Sequence, residues 1–430
     1  MADATADGPA VTAQHAAEAA ARRSYGKLIA FLAARTGDVA LAEDCLSDAF
    51  AKAHVDWPAH GTPANAEAWL LTVARRRMID AYRHRRSGEQ VARELGWLFD
   101  ELDESAGLAR DGAPAIPDDR LRLMFACAHP ALDDAVRAPL ILQTTLGLDA
   151  GTIASAFLVA PATMGQRLVR AKAKIRQARI PFRVPDHDEL PTRLATVLDA
   201  IYAAFAEGWA DPAGADARQR NLAEESLWLG RVVASLLPRE PEALGLLALM
   251  LHAHARRGAR RSPAGDYVPL DQQDPAQWDA AMIDEAEVLL TAASRLDSAG
   301  RYQLEAAVQS AHAVRRRGAR ADWAAVAPLY AALEALTGSP VVRINHAVAL
   351  AHTRGAAAGL AALDALAGSP HATRLADYQP YWAARAELHA RCGDTAAAAP
   401  AYERAIGLER DPAVRRFLQQ RRAALPAARS

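Results

Sequence analysis

Apolar side chains recur at three- and four-residue intervals along almost the whole chain, and this constrains the fold more than any other feature. A helix of 3.6 residues per turn brings such positions onto one face, whereas a strand would need a period of two. Ala, Leu and Arg dominate, and runs of β-branched residues are few. Gly and Pro gather between the periodic stretches, at 57–62, 107–117, 181–191, 211–214 and 258–274, which read as loops or linkers. No Asn-Gly or Asp-Gly turn separates two alternating runs. The expectation is an all-α fold.

The chain has 430 residues, 51% of them hydrophobic, which suits two to four domains with buried cores. Its three cysteines, Cys45, Cys127 and Cys392, are far apart. They suggest neither a disulfide framework nor a Cys-rich zinc site, and they fit a reducing compartment. No apolar run approaches the ~18 residues of a membrane helix. The start of the chain lacks a basic segment followed by an apolar one, so no signal peptide is expected. A soluble cytoplasmic protein with no membrane partner is the expectation.

A net charge of −1 hides sorted signs. A first block is expected over 15–87 and a linker over 88–118. The linker holds Glu89, Glu94, Asp100, Glu101, Asp103, Glu104, Asp111 and Asp118 against Arg93 and Arg110. A second block covers 119–183, and a Pro-rich hinge leads to a helical extension over 190–430. Each of the first two blocks closes on a basic helix. Residues 74–86 carry six Arg and one acid, and residues 163–183 carry seven basic residues and no acid. Apolar spacing is kept in both, by Trp69, Leu70, Val73, Met78, Ile79 and Tyr82 in the first and by Met164, Leu168, Ala171 and Ile175 in the second. One face can pack while the other presents cations, as in a phosphate binder; a solvated, salt-bridged face is the plainer alternative.

Residues 148–157 read as a short helix, 158–160 as a tight connector, and Pro161 as the first residue of the second basic helix. That order is a helix-turn-helix. Thr163, Gln166, Arg167 and Arg170 fall at early exposed positions. Gln166 and Arg167 are types that read base edges, while Arg170, Lys172 and Lys174 suit phosphates.

The runs Ala42-Glu-Asp-Cys-Leu-Ser-Asp-Ala-Phe50 and Ala68-Trp-Leu-Leu-Thr-Val-Ala-Arg-Arg-Arg-Met-Ile-Asp-Ala-Tyr-Arg-His-Arg-Arg86 resemble region two of extracytoplasmic-function (ECF) sigma factors of bacterial RNA polymerase. The helix-turn-helix block resembles their region four. Residues 118–132, 156–172 and 180–185, with 245–250 and 269–279, resemble the ECF subgroup with a C-terminal tetratricopeptide-like extension. Ser47-Asp48 stands where that family often has Gln-Glu, and Cys127-Ala128 where it often has two Cys. The resemblance implies docking on core RNA polymerase, through its β′ coiled coil and its β flap, and recognition of promoter DNA. Glu43, Asp44, Asp48 and Phe50 match the β′-docking positions. Residues 56–66 match the loop that captures a flipped base of the minus-ten element, a step needing stacking and hydrogen bonds. Asn65 suits that task; Trp57 either joins it or anchors the loop. Arg75, Arg76, Arg77, Arg83 and Arg85 would grip the promoter backbone, with Trp69 in the core.

In the extension, Trp382, Ala386, Ala398, Tyr402 and Ala405 fall on tetratricopeptide spacing around a turn at Gly393, with Pro400 as a departure. A weaker copy uses Ala347, Gly355, Gly359 and Leu363. Such arrays offer concave surfaces to a protein partner, although a purely structural helical domain fits the same spacing. His252 and His254 are two apart, a poor ligand spacing on a helix, and no catalytic motif is present. No enzyme activity, cofactor or metal is expected. Two other readings stay open: a polymerase-independent helix-turn-helix regulator, and a tetratricopeptide scaffold that binds no DNA.

Overall fold

The computed structural model describes residues 24–84, 119–157, 159–186, 188–209, 217–296, 298–319, 321–368 and 375–426. Arg85 and the whole acidic linker over 88–118 lie outside them. The fold is all-α. Apart from an isolated bridge between Arg261 and Tyr267, the described residues form no β structure. The chain divides into two compact units, residues 1–204 and 205–430.

Unit one begins with α1 (24–36), α2 (Val39–His60) and α3 (Ala66–His84). Gly37, at φ 66°, turns α1 into α2, and Asp38 caps α2 by accepting from the Leu41 N–H at 3.1 Å. The core beneath is Leu28, Ile29, Leu32, Leu46, Leu70 and Met78, all with no exposure. α2 runs through Pro58 and stops only at Gly61 (φ 88°). The segment expected to be a loop from Asp56 is therefore helical to His60. The Gly61 N–H still reaches the Trp57 carbonyl at 2.9 Å, so the proline does not end the hydrogen-bond ladder.

Then come α4 (Arg120–Cys127), α5 (Asp134–Leu146), α6 (Ala150–Ala156) and α7 (Pro161–Gln177). Pro161 is the first residue of α7, where its fixed φ suits a helix start and its missing N–H breaks no bond. Met164, Leu168, Ala171 and Ile175 are the buried stripe of α7, as their spacing requires. α1 lies hard against α5. A Cβ on Gly26 would come within 2.1 Å of the Thr145 carbonyl oxygen, and one on Gly147 within 3.1 Å of the Tyr25 ring. Glycine at 26 is thus a condition of that helix crossing. α8 (Leu190–Trp209) contains the boundary between the units.

Unit two continues through α9 (Ala217–Leu236), α10 (Pro241–Ala255), α11 (Ala280–Ser294), α12 (Arg301–Ala313), α13 (Trp323–Thr337), α14 (Pro340–Thr353), α15 (Ala356–Ala367), α16 (Gln379–Arg391), α17 (Thr395–Leu408) and α18 (Pro412–Ala423). Successive helices pack as hairpins. α14 and α15 turn at Gly355 (φ 93°) and cross at Gly359, where a Cβ would meet the Ala347 carbonyl oxygen at 2.7 Å. α16 and α17 turn at Gly393 (φ 79°), and Ala386, Ala398, Tyr402 and Ala405 share one buried cluster with Trp382 packed against it. α17 runs through Pro400. Between α10 and α11 the backbone is irregular but anchored. Arg315 donates to the carbonyls of Leu270, Asp271 and Gln273 and lies over the buried Trp278 ring.

Candidate functional site

Within unit one, α2, α3 and α7 carry the site residues expected from the sequence. Asp44 and Asp48 are exposed one turn apart on α2, and Val55, 71% exposed, continues their stripe. That is an acidic row ending in an apolar side chain. Sequence reading missed Val55 because one apolar residue among polar neighbours carries no periodic signal. Glu43 lies on the flank of the same helix and is largely covered; Phe50 is half-buried. Arg77 of α3 comes within 3.8 Å of Asp48, but both side chains are more than half exposed, and such pairs are worth little.

The cations of α3 do not act as a group. Arg76, Arg77 and Arg83 are exposed, with Arg83 near Asp80 at 3.3 Å, whereas Arg75 is buried and faces inward. Position 75 shares the packed face with Leu71, Ala74 and Met78. Trp57 is likewise buried, in the last turn of α2, with its ring edge-on to Trp69 at 5.5 Å. In this arrangement it anchors the turn, and its faces are covered. Asn65 caps α3, its side-chain oxygen accepting from the Ala68 N–H at 3.0 Å. Its amide nitrogen is not used in that bond.

On α7 the cations part onto different faces. Thr163, Arg167, Arg170 and Lys174 follow one another at four-, three- and four-residue steps and are all exposed, with Gln166 beside them. Arg167, Arg170 and Lys174 line a cleft of about 400 Å³ against the start of α5. Lys172 and Arg176 point the other way, to the first block. The Lys172 ammonium donates to a Glu43 carboxylate oxygen at 2.5 Å and to Gln143 at 3.1 Å. Arg176 donates to Asp38 at 3.1 Å, and Arg35 of α1 to Asp119 at 3.0 Å. The sequence groups Lys172 with the phosphate-facing cations; in the fold it is 11% exposed and paired. Burial raises the Glu43 pKa above the usual carboxylate range against the pull of Lys172. The other Glu43 oxygen, Oε1, is buried without a hydrogen-bond partner.

Unit two holds a separate cavity of about 700 Å³. Its floor stacks Trp323 on His352 at 3.9 Å with His312 edge-on at 5.3 Å. Glu387, gripped by Arg421 at 2.6 and 2.8 Å and by the Tyr402 hydroxyl at 2.9 Å, forms a wall, with Arg391 beside it. Among the described residues no group of His, Cys, Asp and Glu is placed to hold a metal ion, and no helix is long and apolar enough to cross a membrane.

Comparison with known proteins matches two stretches of the chain to family models. Residues 21–88, spanning α1 to α3, match the family model described as Sigma-70 region 2. Residues 193–294 match a family of unknown function, DUF6596. A relative in Rhizobium meliloti (strain 1021), printed as "Uncharacterized protein R00370", is 39% identical over 370 residues and is covered for 86% of both chains. No solved structure matches.

Proposed function

We propose that the chain is a sigma-70 family factor, on the strength of the region 2 match over residues 21–88, and that it is of the extracytoplasmic-function type with a C-terminal regulatory extension. In this reading it serves transcription initiation with RNA polymerase and promoter DNA, as a factor without enzymatic activity. In the finer reading, the exposed Asp44–Asp48–Val55 stripe of α2 docks on the β′ coiled coil of core polymerase. Helix α3, with Arg76, Arg77 and Arg83, and the turn at 61–65 engage the minus-ten element. Helices α6 and α7 form a helix-turn-helix in which Thr163, Gln166, Arg167, Arg170 and Lys174 meet the minus-thirty-five element. The observation that carries this reading is the family match over α1–α3, followed in the same compact unit by α7, whose stripe of cations is exposed and acid-free.

The helical hairpins of unit two are read as tetratricopeptide-like, and the aromatic cavity between them as the place where a regulatory partner is sensed. The factor works in the cytoplasm, beside the chromosome. Run-off transcription with purified core polymerase and a genomic promoter library tests the proposal. Initiation at defined sites that needs both this chain and core supports it. A protein that footprints promoters without core is a polymerase-independent regulator. One that shows no salt-dependent DNA affinity at all is a scaffold.

A further inference from the structure

We infer that the cavity of unit two is a binding site for a small aromatic carboxylate, whose ring lies on the open face of His352 and whose acid group meets Arg391. The inference rests on the reading of this cavity as the place where a regulatory signal is sensed, and it names the chemistry of that signal.

The shape of the cavity sets the size of its occupant. A helical-repeat array ordinarily offers a concave face open along its length. Here the connection between α10 and α11 is tied across to α18, 150 residues later in the chain. Arg261 pairs with Asp411, Arg416 donates to Asp266 at 3.1 Å, and the Tyr267 ring meets Phe417 edge-on at 5.5 Å. Leu270 of that connection and Phe417 and Leu418 of α18 all line the cavity. This tie obstructs an extended chain running through. The space of about 700 Å³ suits a ligand of small-molecule size.

The lining sets the chemistry. Trp323 lies flat on one face of His352, with ring centroids 3.9 Å apart and an angle of 3° between the planes. His352 is nevertheless exposed, so its other face is open, and a ligand ring laid there makes a third layer of the stack. Val348, Leu388 and Leu418 add apolar surface for that ring. Partial burial, and next Arg391, hold the His352 pKa below the usual histidine range, so the platform is neutral near pH 7. Of the three arginines on the lining, Arg421 is held by Glu387 and Arg315 by loop carbonyls. Arg391 donates from one nitrogen to the carbonyl of Ala351, the neighbour of His352, at 3.1 Å. Among the described residues no carboxylate pairs with it. Its remaining N–H groups suit a carboxylate, which a guanidinium grips with two parallel bonds. Asp271, the other acid of the lining, is exposed and acts on His352 less strongly than Arg391 does. The charge beside the open ring therefore favours an anion over a cation.

Calorimetric titration of the full-length protein tests this with 2-naphthoate, its neutral amide 2-naphthamide, the cation 2-naphthylmethylammonium, and a hexapeptide ending in tryptophan with a free carboxylate. Naphthoate is expected to bind with a dissociation constant below about 1 mM and ahead of the other three. Arg391 and His352 are both exposed, so Arg391→Gln and His352→Ala should melt as the wild type does. Arg391→Gln should weaken naphthoate about 10- to 100-fold and leave the amide unchanged. His352→Ala should weaken both about two- to tenfold. No heat from any probe at about 1 mM, tighter binding of the ammonium, or equal naphthoate affinity in Arg391→Gln overturns the inference. A peptide that outbinds naphthoate makes the cavity a protein-docking site and overturns it as well. Run-off transcription with and without naphthoate keeps the readings apart. If naphthoate binds as described and initiation does not respond, the site stands and the sensing role falls; if there is no initiation at all, the site stands and the sigma reading falls.

Discussion

Removing the outer cations of α7 should flatten the salt dependence of DNA binding by an amount fixed by how many of them are open to solvent. Arg167, Arg170 and Lys174 are exposed along one stripe. Each phosphate neutralised contributes about −0.9 to the slope of log affinity against log salt, so three contribute about −2.7. Between 50 and 200 mM salt that slope alone is worth about a 40-fold loss of affinity. The triple variant Arg167→Ala, Arg170→Ala, Lys174→Ala should bind duplex DNA with a slope shallower by about that amount. Its curve should converge on the wild type at high salt. Lys172 is already matched by Glu43 and contributes little to the slope. The assay is anisotropy of a labelled 20–30 base-pair duplex titrated across that salt range. Equal slopes for wild type and triple variant would refute the assignment of this stripe to DNA. A slope change with no dependence on promoter sequence would leave it as a phosphate grip and remove base reading by Arg167.

Other outcomes follow from packing and charge. Leu168 is 1% exposed; Leu168→Ala should cost about 2–5 kcal/mol by the cavity it leaves, read from denaturant melts, and a loss well under that range would place α7 looser than described. Gly245→Ala should destabilise unit two by about 1–3 kcal/mol through overpacking, because a Cβ there meets the Gln303 backbone nitrogen at 2.6 Å; an unchanged midpoint would contradict that helix crossing. His252 and His312 are held down to about 4, mainly by burial and next by Arg256. Their neutral form is native, so their contribution is complete above pH 6.5 and is lost as pH falls toward 4. From pH 7 to 5 this should remove about 2 kcal/mol per histidine, and urea melts with no decline over that interval would oppose it. Cys45 and Cys127 are buried, with thiols pushed up to about 11 and about 12 by burial; a thiol reagent should titrate Cys392 alone in the native protein and all three in denaturant, and three fast thiols would overturn the packing of α2 and α4.

The helical class and the packed side of α7 were legible in the sequence because both rest on local periodicity. Met164, Leu168, Ala171 and Ile175 repeat at helical steps, and nothing distant is needed to bury them. What failed to read out was which cation faces what. Arg75 sits in a run of three arginines that look alike in sequence, yet the packed side of α3 turns it inward. Lys172 resembles Lys174, but Glu43, 129 residues away, claims only the first. Trp57 precedes a proline and a glycine-bearing turn, which reads as loop; Pro58 instead sits in the last turn of α2, where little of the hydrogen-bond ladder remains to be broken.

The segment pinned by Arg315 has a bearing on how the protein is made. The carbonyls of Leu270, Asp271 and Gln273 take their donors from a side chain more than forty positions later. While the chain is still leaving the ribosome, that stretch is without its clasp, and the Asp271 and Gln273 carbonyls must find water in its place. That loop cannot take its final form before the arginine is available. It waits for α12 and the arginine beyond it, so synthesis sets the earliest moment at which this connection between α10 and α11 is clasped.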